Sequence, residues 1–173
     1  NKEELQKAVN LWCENKEEAL NRYGHISNWN TSLINDMSRL FQYSNFNENI
    51  NDWDVSNVTN MSLMFYSCWN FNQPLDNWDV SNVTNMLLMF HHCFEFNQPL
   101  NNWDVSNVTT MYCMFFKCEK FNQPLDNWNV GNVKDMENIF NSCQLFNQPL
   151  NNWNVGNVIN MRFMFFNCKK FNQ

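Results

Sequence analysis

The chain has 173 residues, a mass of 20.9 kDa and a formal net charge of −6. Hydrophobic residues make up 44% and aromatics 16%; these large apolar groups can fill one domain-sized core, which excludes wholesale disorder. No run approaches the roughly 18 apolar residues of a membrane span, and the acidic balance excludes a binder of nucleic-acid backbones, which needs a basic face. No basic-then-apolar leader precedes the first element, and the pattern described below stops partway at Phe171, Asn172 and Gln173. Both features read as either a removed leader or a fragment of a longer parent.

Residues 1–28 form the first unit. Leu5, Val9 and Trp12 stand at helical spacing, as do Ala8, Leu11 and Trp12, among Glu3, Glu4, Lys7, Glu14, Lys16, Glu17, Glu18 and Arg22. This predicts one helix or a helical pair serving as a polar-faced cap, since the end of a stack of repeats would otherwise expose its core.

Residues 29–173 are six copies of one unit, the first degenerate and the last incomplete. Trp recurs at 53, 78, 103, 128 and 153, a period of 25 residues, with Trp29 opening the degenerate copy. Eight residues after each Trp stands Met37, Met61, Met86, Met111, Met136 or Met161; twelve after, Phe41, Phe65, Phe90, Phe115, Phe140 or Phe165. Five copies carry Cys fifteen residues on, at Cys68, Cys93, Cys118, Cys143 and Cys168. One such unit cannot bury its own apolar residues, whereas stacked units can.

Within a unit, Val58, Met61, Met64, Phe65 and Cys68 are spaced by three and four, which predicts a short helix with Ser56 at its N-cap. Equivalent caps fall at Ser81, Ser106, Gly131 and Gly156. FNQPL and Trp-Asp-Val read as short extended pieces joined by an Asn/Asp turn. The expected fold is α/β: a right-handed, leucine-rich-repeat-like solenoid, its handedness following from the crossover rule.

Asn accounts for 36 residues, and stacking gives them a use. Asn57, Asn82, Asn107, Asn132 and Asn157 would form one ladder, and Asn72 to Asn172 another beside a Gln ladder. Each amide would bond its copy above and below and satisfy turn groups. Asp54, Asp79 and Asp104 become Asn129 and Asn154 in later copies, which suits turn capping better than calcium binding or general acid/base work.

No cofactor, metal or catalytic residue is expected. The cysteines, seven counting Cys13 and Cys113, read as small buried thiols. In-register side chains point the same way, an odd count fits disulfides poorly, and the wide spacing lacks the close ligand pairs of a zinc site. His91 and His92, beside Cys93, are the only local metal-capable cluster; on a helix adjacent residues diverge by roughly 100°, so convergence is not expected. No nucleophile–base pair or phosphate-cradling glycine loop is present.

The positions that vary between copies are free to carry recognition. Tyr66, Leu87, His91, Tyr112, Phe116 and Phe166 stand out because aromatics are enriched where proteins bind proteins. The other reading is that these side chains tuck against neighbouring coils and vary only in fit. The expected function is a non-enzymatic scaffold that binds a protein partner through this row. The rivals are a surface adhesion module for host matrix or glycan and a purely structural spacer. The open last coil could also stack end to end on another molecule. Seven thiols favour a reducing compartment over a cell surface.

The unit FNQPLDNWDVSNVTNM (71–86) with MFHHC (89–93), and its copies, resembles the BspA-like leucine-rich-repeat family, in the 25-residue form of mycoplasma lipoproteins and giant-virus proteins. LWCENKEEALNRYGHISNW (11–29) resembles the segment that often precedes such repeats. The resemblance implies a leucine-rich-repeat-like solenoid with a binding or adhesion role, no enzymatic activity and no fixed ligand. The reducing compartment that the thiols favour would be the host cytoplasm if the source is viral.

Overall fold

The computed structural model describes residues 1–173. It opens with two helices, α1 (Lys2–Glu14) and α2 (Lys16–Tyr23). Asn1 starts α1 with a reciprocal capping box: its side chain accepts the Glu4 N–H, and the Glu4 carboxylate reaches back to the N-terminal amine. Asn15 separates the helices; its N–H closes α1 on the Leu11 carbonyl, and its side chain accepts the Glu18 N–H to start α2. Gly24 ends α2 at φ 72°, a conformation glycine adopts without a Cβ clash. Leu5, Ala8, Val9 and Trp12 are buried, and Trp12 meets Trp29 edge-on at 5.8 Å.

The remainder is a stack of 25-residue coils, and here the α/β expectation fails. The chain's two α-helices both precede Gly24, and no sheet forms. The solenoid with strands and a helix in every coil is therefore corrected, and no leucine-rich-repeat architecture is present. Adjacent coils share one isolated parallel bridge each, such as Asn60↔Asn85 and Asn85↔Thr110.

The segment expected to be helical is a run of β-turns. Met64, Tyr66 and Cys68 donate N–H to Met61, Leu63 and Phe65, three residues back, where an α-helix would reach four back. Leu63 and Ser67 lie at φ 56°, each at the third position of its turn, which marks the type II form. Steps of three and four among apolar residues arise from these turns as readily as from a helix. Ser56, taken for an N-cap, instead donates its N–H to Asp54 Oδ1 at 3.0 Å.

Turns also explain how coils join. The N–H groups that face away from the turns point to the next coil: Met61, Leu63, Phe65 and Ser67 donate to Asn85, Leu87, Met89 and His91. This alternation repeats at every interface. Ten of the twelve non-glycine residues at φ between 52° and 63° donate their N–H to the next coil in this way, in a conformation that costs about 1–2 kcal/mol per L-residue. The ladder must outweigh that cost.

FNQPL is extended but forms no strand. Pro74, Pro99, Pro124 and Pro149 lack an N–H. The Asn72 side chain takes the place of a ladder bond, its Oδ1 accepting from Asn97 N–H at 2.9 Å and from Gln98 Nε2 at 3.0 Å. The expected like-to-like amide ladders are thus corrected: the Asn amides bond the neighbouring coil's backbone and, at Asn72 and its copies, its Gln side chain. Asn82 Nδ2, for instance, donates to the Ser56 carbonyl at 2.7 Å.

The core is a set of columns. Phe65 and Phe90 stack at 5.5 Å and 2° between planes; Trp78 and Trp103 stack at 6.4 Å and 3°. From Trp78 onward each column Trp Nε1 donates to a carbonyl of the preceding coil, as Trp103 does to Leu75 at 3.0 Å. Each column thiol does the same to a Phe carbonyl, as Cys118 does to Phe90 at 3.0 Å. No buried side-chain nitrogen or oxygen lacks a partner. All seven cysteines are unpaired.

Candidate functional site: an aromatic row on the stack

The turn run places its variable residues on one outer surface, because the turns aim Val, Met, Phe and Cys inward. Tyr66, His91 and Phe116 form a continuous stack there. Tyr66 and His91 lie 4.7 Å apart at 11°, and His91 and Phe116 lie 4.7 Å apart at 9°. Tyr43 closes one end edge-on at 5.2 Å from Tyr66. At the other end Asn141, buried and bonded to Asn138 and Ser142, breaks the row. Phe166 lies beyond the break, exposed and edge-on to Phe163. Leu87 and Tyr112 occupy the adjoining column and are half-buried. The structure therefore brings together three of the six candidate residues, sets two beside them and separates one.

Stacking settles what the rings offer. The ring faces of His91 are covered by Tyr66 and Phe116, so the row presents edges to solvent. Edges carry the positive part of the aromatic quadrupole. Lys117 adds a cation 5.9 Å from the Phe116 ring.

His91 and His92 converge, against expectation. The expected divergence assumed a helix, whereas His92 sits at φ 61°, and this turn brings the two Nδ1 atoms to 2.6 Å. One imidazole donates and the other accepts. Burial, then His92, then Lys117 pull His91 down to about 4; burial and Lys117 lower His92. No group of three His, Cys, Asp or Glu side chains is placed to hold a metal ion.

The thiol column offers no nucleophile. Burial raises Cys68 to about 12 and lifts Cys93, Cys118 and Cys143 well above the ordinary thiol value. The Asp column acts as turn acceptor: Asp79 Oδ1 takes the Ser81 N–H at 3.1 Å, and Asn129 Oδ1 takes the Gly131 N–H at the same distance. Only an acceptor oxygen is needed, which is why Asp and Asn interchange.

Two features escaped the sequence reading. Tyr43 extends the row but is backbone-equivalent to Ser67, one column over; the degenerate first copy hides this. A cleft of about 670 Å³ lies between α1 and the first coil, lined by Lys2, Gln6, Cys13, Arg39, Gln42 and Tyr43 among others. Only packing of the helix on the coil creates it.

No helix is long and apolar enough to cross a membrane. No curated protein and no solved structure matches the chain. A family model described as "Mycoplasma protein of unknown function, DUF285" matches residues 11–115 and 96–173. These two matches span all the coils and part of the helical cap, and the chain belongs to that family.

Proposed function

We propose that this protein is a non-enzymatic scaffold that engages a protein partner through the row of Tyr66, His91 and Phe116, flanked by Leu87 and Tyr112, with Phe166 as an outlying anchor. One observation carries this reading. The repeated side chains are spent on the core and the inter-coil bonds, whereas this row varies from coil to coil and keeps ring edges in solvent. A few aromatic anchors commonly dominate binding energy. A spacer has no reason to diversify one surface. Adhesion to glycan is the weaker alternative, because sugars stack on ring faces, and both faces of His91 and one face each of Tyr66 and Phe116 are already covered. The likeness of the repeat to BspA-like surface proteins supports a binding role in general terms.

The test is quantitative capture with wild-type and Phe116→Ser chains as bait, followed by affinity measurement on the captured protein. The expected result is a loss of about 1–3 kcal/mol in binding with the fold retained. Unchanged affinity in Phe116→Ser and His91→Ser, with loss in Asp79→Ala, would move the contact to the Asn/Asp surface.

A further inference from the structure

His91 and His92 are the two central residues of the turn that Cys93 closes by donating its N–H to the Phe90 carbonyl at 3.0 Å. With His92 at φ 61°, this turn sets both side chains over one patch of the outer surface, and their Nδ1 atoms stand 2.6 Å apart. The convergence belongs to the backbone, because other coils repeat it with other residues. Two coils on, the same positions hold Asn141 and Ser142, whose Oδ1 and hydroxyl meet at 2.8 Å. In the coil between, Lys117 reaches the ring of Phe116.

The two rings are held in place by their neighbours. Tyr66 and Phe116 sandwich His91 at 4.7 Å on each side, and Phe94 and Phe116 flank His92 at 5.6 Å. Both histidines are half-buried. Two imidazole nitrogens this close share one proton or one cation: when each ring keeps its own proton on Nε2, two lone pairs face a single point. A metal–imidazole bond of about 2.0–2.1 Å spans nitrogens 2.6 Å apart at an angle of about 80°, and widening the gap by about 0.3 Å gives a right angle. That is the cis geometry of a square-planar or octahedral ion, whereas a tetrahedral ion needs a wider gap.

We propose that His91 and His92 chelate one divalent ion of the Ni²⁺ or Cu²⁺ class through their Nδ1 atoms, with water completing the coordination. Imidazole suits these ions, and nitrogen sites hold them more tightly than the earlier first-row metals. Two protein ligands make an open site, and the Lys117 ammonium, seated on the Phe116 ring that both histidines touch, weakens it. The site needs only the pair and stands whether or not the aromatic row binds a protein.

The experiment is calorimetric titration of the 173-residue chain with Ni²⁺ at neutral pH. Cys13→Ser is present in every variant, because that exposed thiol is itself a metal ligand. The expected result is uptake of one ion per chain, with a melting temperature that rises with Ni²⁺. His91→Phe and His92→Ser should each weaken uptake by about tenfold or more. Both substitutions introduce side chains that other coils carry at the same places, as Phe116 and Ser67, so the fold is kept and circular dichroism checks it. Adding Phe116→His/Lys117→His to the double variant rebuilds the pair one coil on and should restore uptake. No saturable uptake at millimolar Ni²⁺ overturns the proposal. So does uptake that ignores both histidine substitutions, which would place the ion on surface carboxylates. Uptake still absent from the folded, rebuilt chain would overturn the turn as the maker of the site.

Discussion

The fourth coil and the last share one motif and differ in environment. Met111 and Phe115 are completely buried; their copies Met161 and Phe165 are not, and Met161 is 45% exposed. The first coil also has a single neighbouring coil, yet its Met37 and Phe41 are as buried as interior residues. The difference is α1, which packs Leu5, Val9 and Trp12 over that end. Burial of a column residue is therefore conferred by whatever lies next along the axis.

The sharpest way to probe this contrast is to delete the same ring at two depths. Phe115→Ala should cost about 3–5 kcal/mol. Phe165→Ala, with one side of its ring open, should cost less than half of that. Urea denaturation of both variants reads the difference; equal losses would mean that the last coil is as well packed as the interior.

Next in size is the indole bond. Trp103→Phe keeps most of the ring but removes the donor to the Leu75 carbonyl. The expected loss is about 1–3 kcal/mol, with a smaller loss for Trp153→Phe, where water can reach the site. A thermal melt showing no change at position 103 would mean that the bond adds nothing beyond the one Leu75 already accepts from the Trp78 N–H.

The row supplies a pH test, because His91 has an aromatic equivalent in Phe166 that does not titrate. A histidine held at about 4 when folded takes up a proton more readily unfolded. Its contribution to stability is present above pH 6.5 and is lost as pH falls from there towards 4. Asp54 and Asp104, lowered by bonds from Ser56 and Ser106, act further down, losing their contribution below the ordinary carboxylate range. Melting temperature should therefore start to fall below pH 6.5 in the wild type and fall less in His91→Phe. Parallel profiles would remove His91 from the account.

The smallest effect is expected at the turns. Asp79→Asn keeps the acceptor for Ser81, and stability should change by less than about 0.5 kcal/mol. Asp79→Ala removes the acceptor and should cost about 1 kcal/mol. A large loss in the Asn variant would show that the carboxylate charge matters.

The period, the buried Trp, Met, Phe and Cys columns and the turn role of Asp79 and Asn129 were legible in the sequence, because each depends on residue type at a fixed interval. The coil backbone was not. Type II turns are normally betrayed by glycine or asparagine at the third position. Here that position holds Leu63, Leu88, Cys113, Asn138 and Phe163 in one turn of each coil and Ser67, His92, Lys117, Ser142 and Asn167 in the other, and two of the ten, Asn138 and Asn167, give the signal. What imposes the conformation is the ladder to the next coil, a relation between residues 24 apart that no local window contains. The same blindness hid the meeting of His91 with His92. By contrast, the row of Tyr66, His91 and Phe116 could be found, since variation among near-identical copies can be read directly.

The thiol column gives the molecule an internal ruler. Each of the last five coils bonds one sulfur to a Phe carbonyl of the coil before, and all but the half-buried Cys168 are hidden in the core. A thiol reagent reaches a buried column sulfur only after its coil has peeled away, so with Cys113 set aside, as a second buried thiol in the coil of Cys118, the marked column thiols count the open coils. Cys13, exposed on α1, reacts from the outset and serves as the reference. Along a urea series, Cys168 should be marked first, then Cys143, then Cys118, with Cys68 last beside the helical cap. A stack of near-identical rungs would then come apart in an order written by its ends.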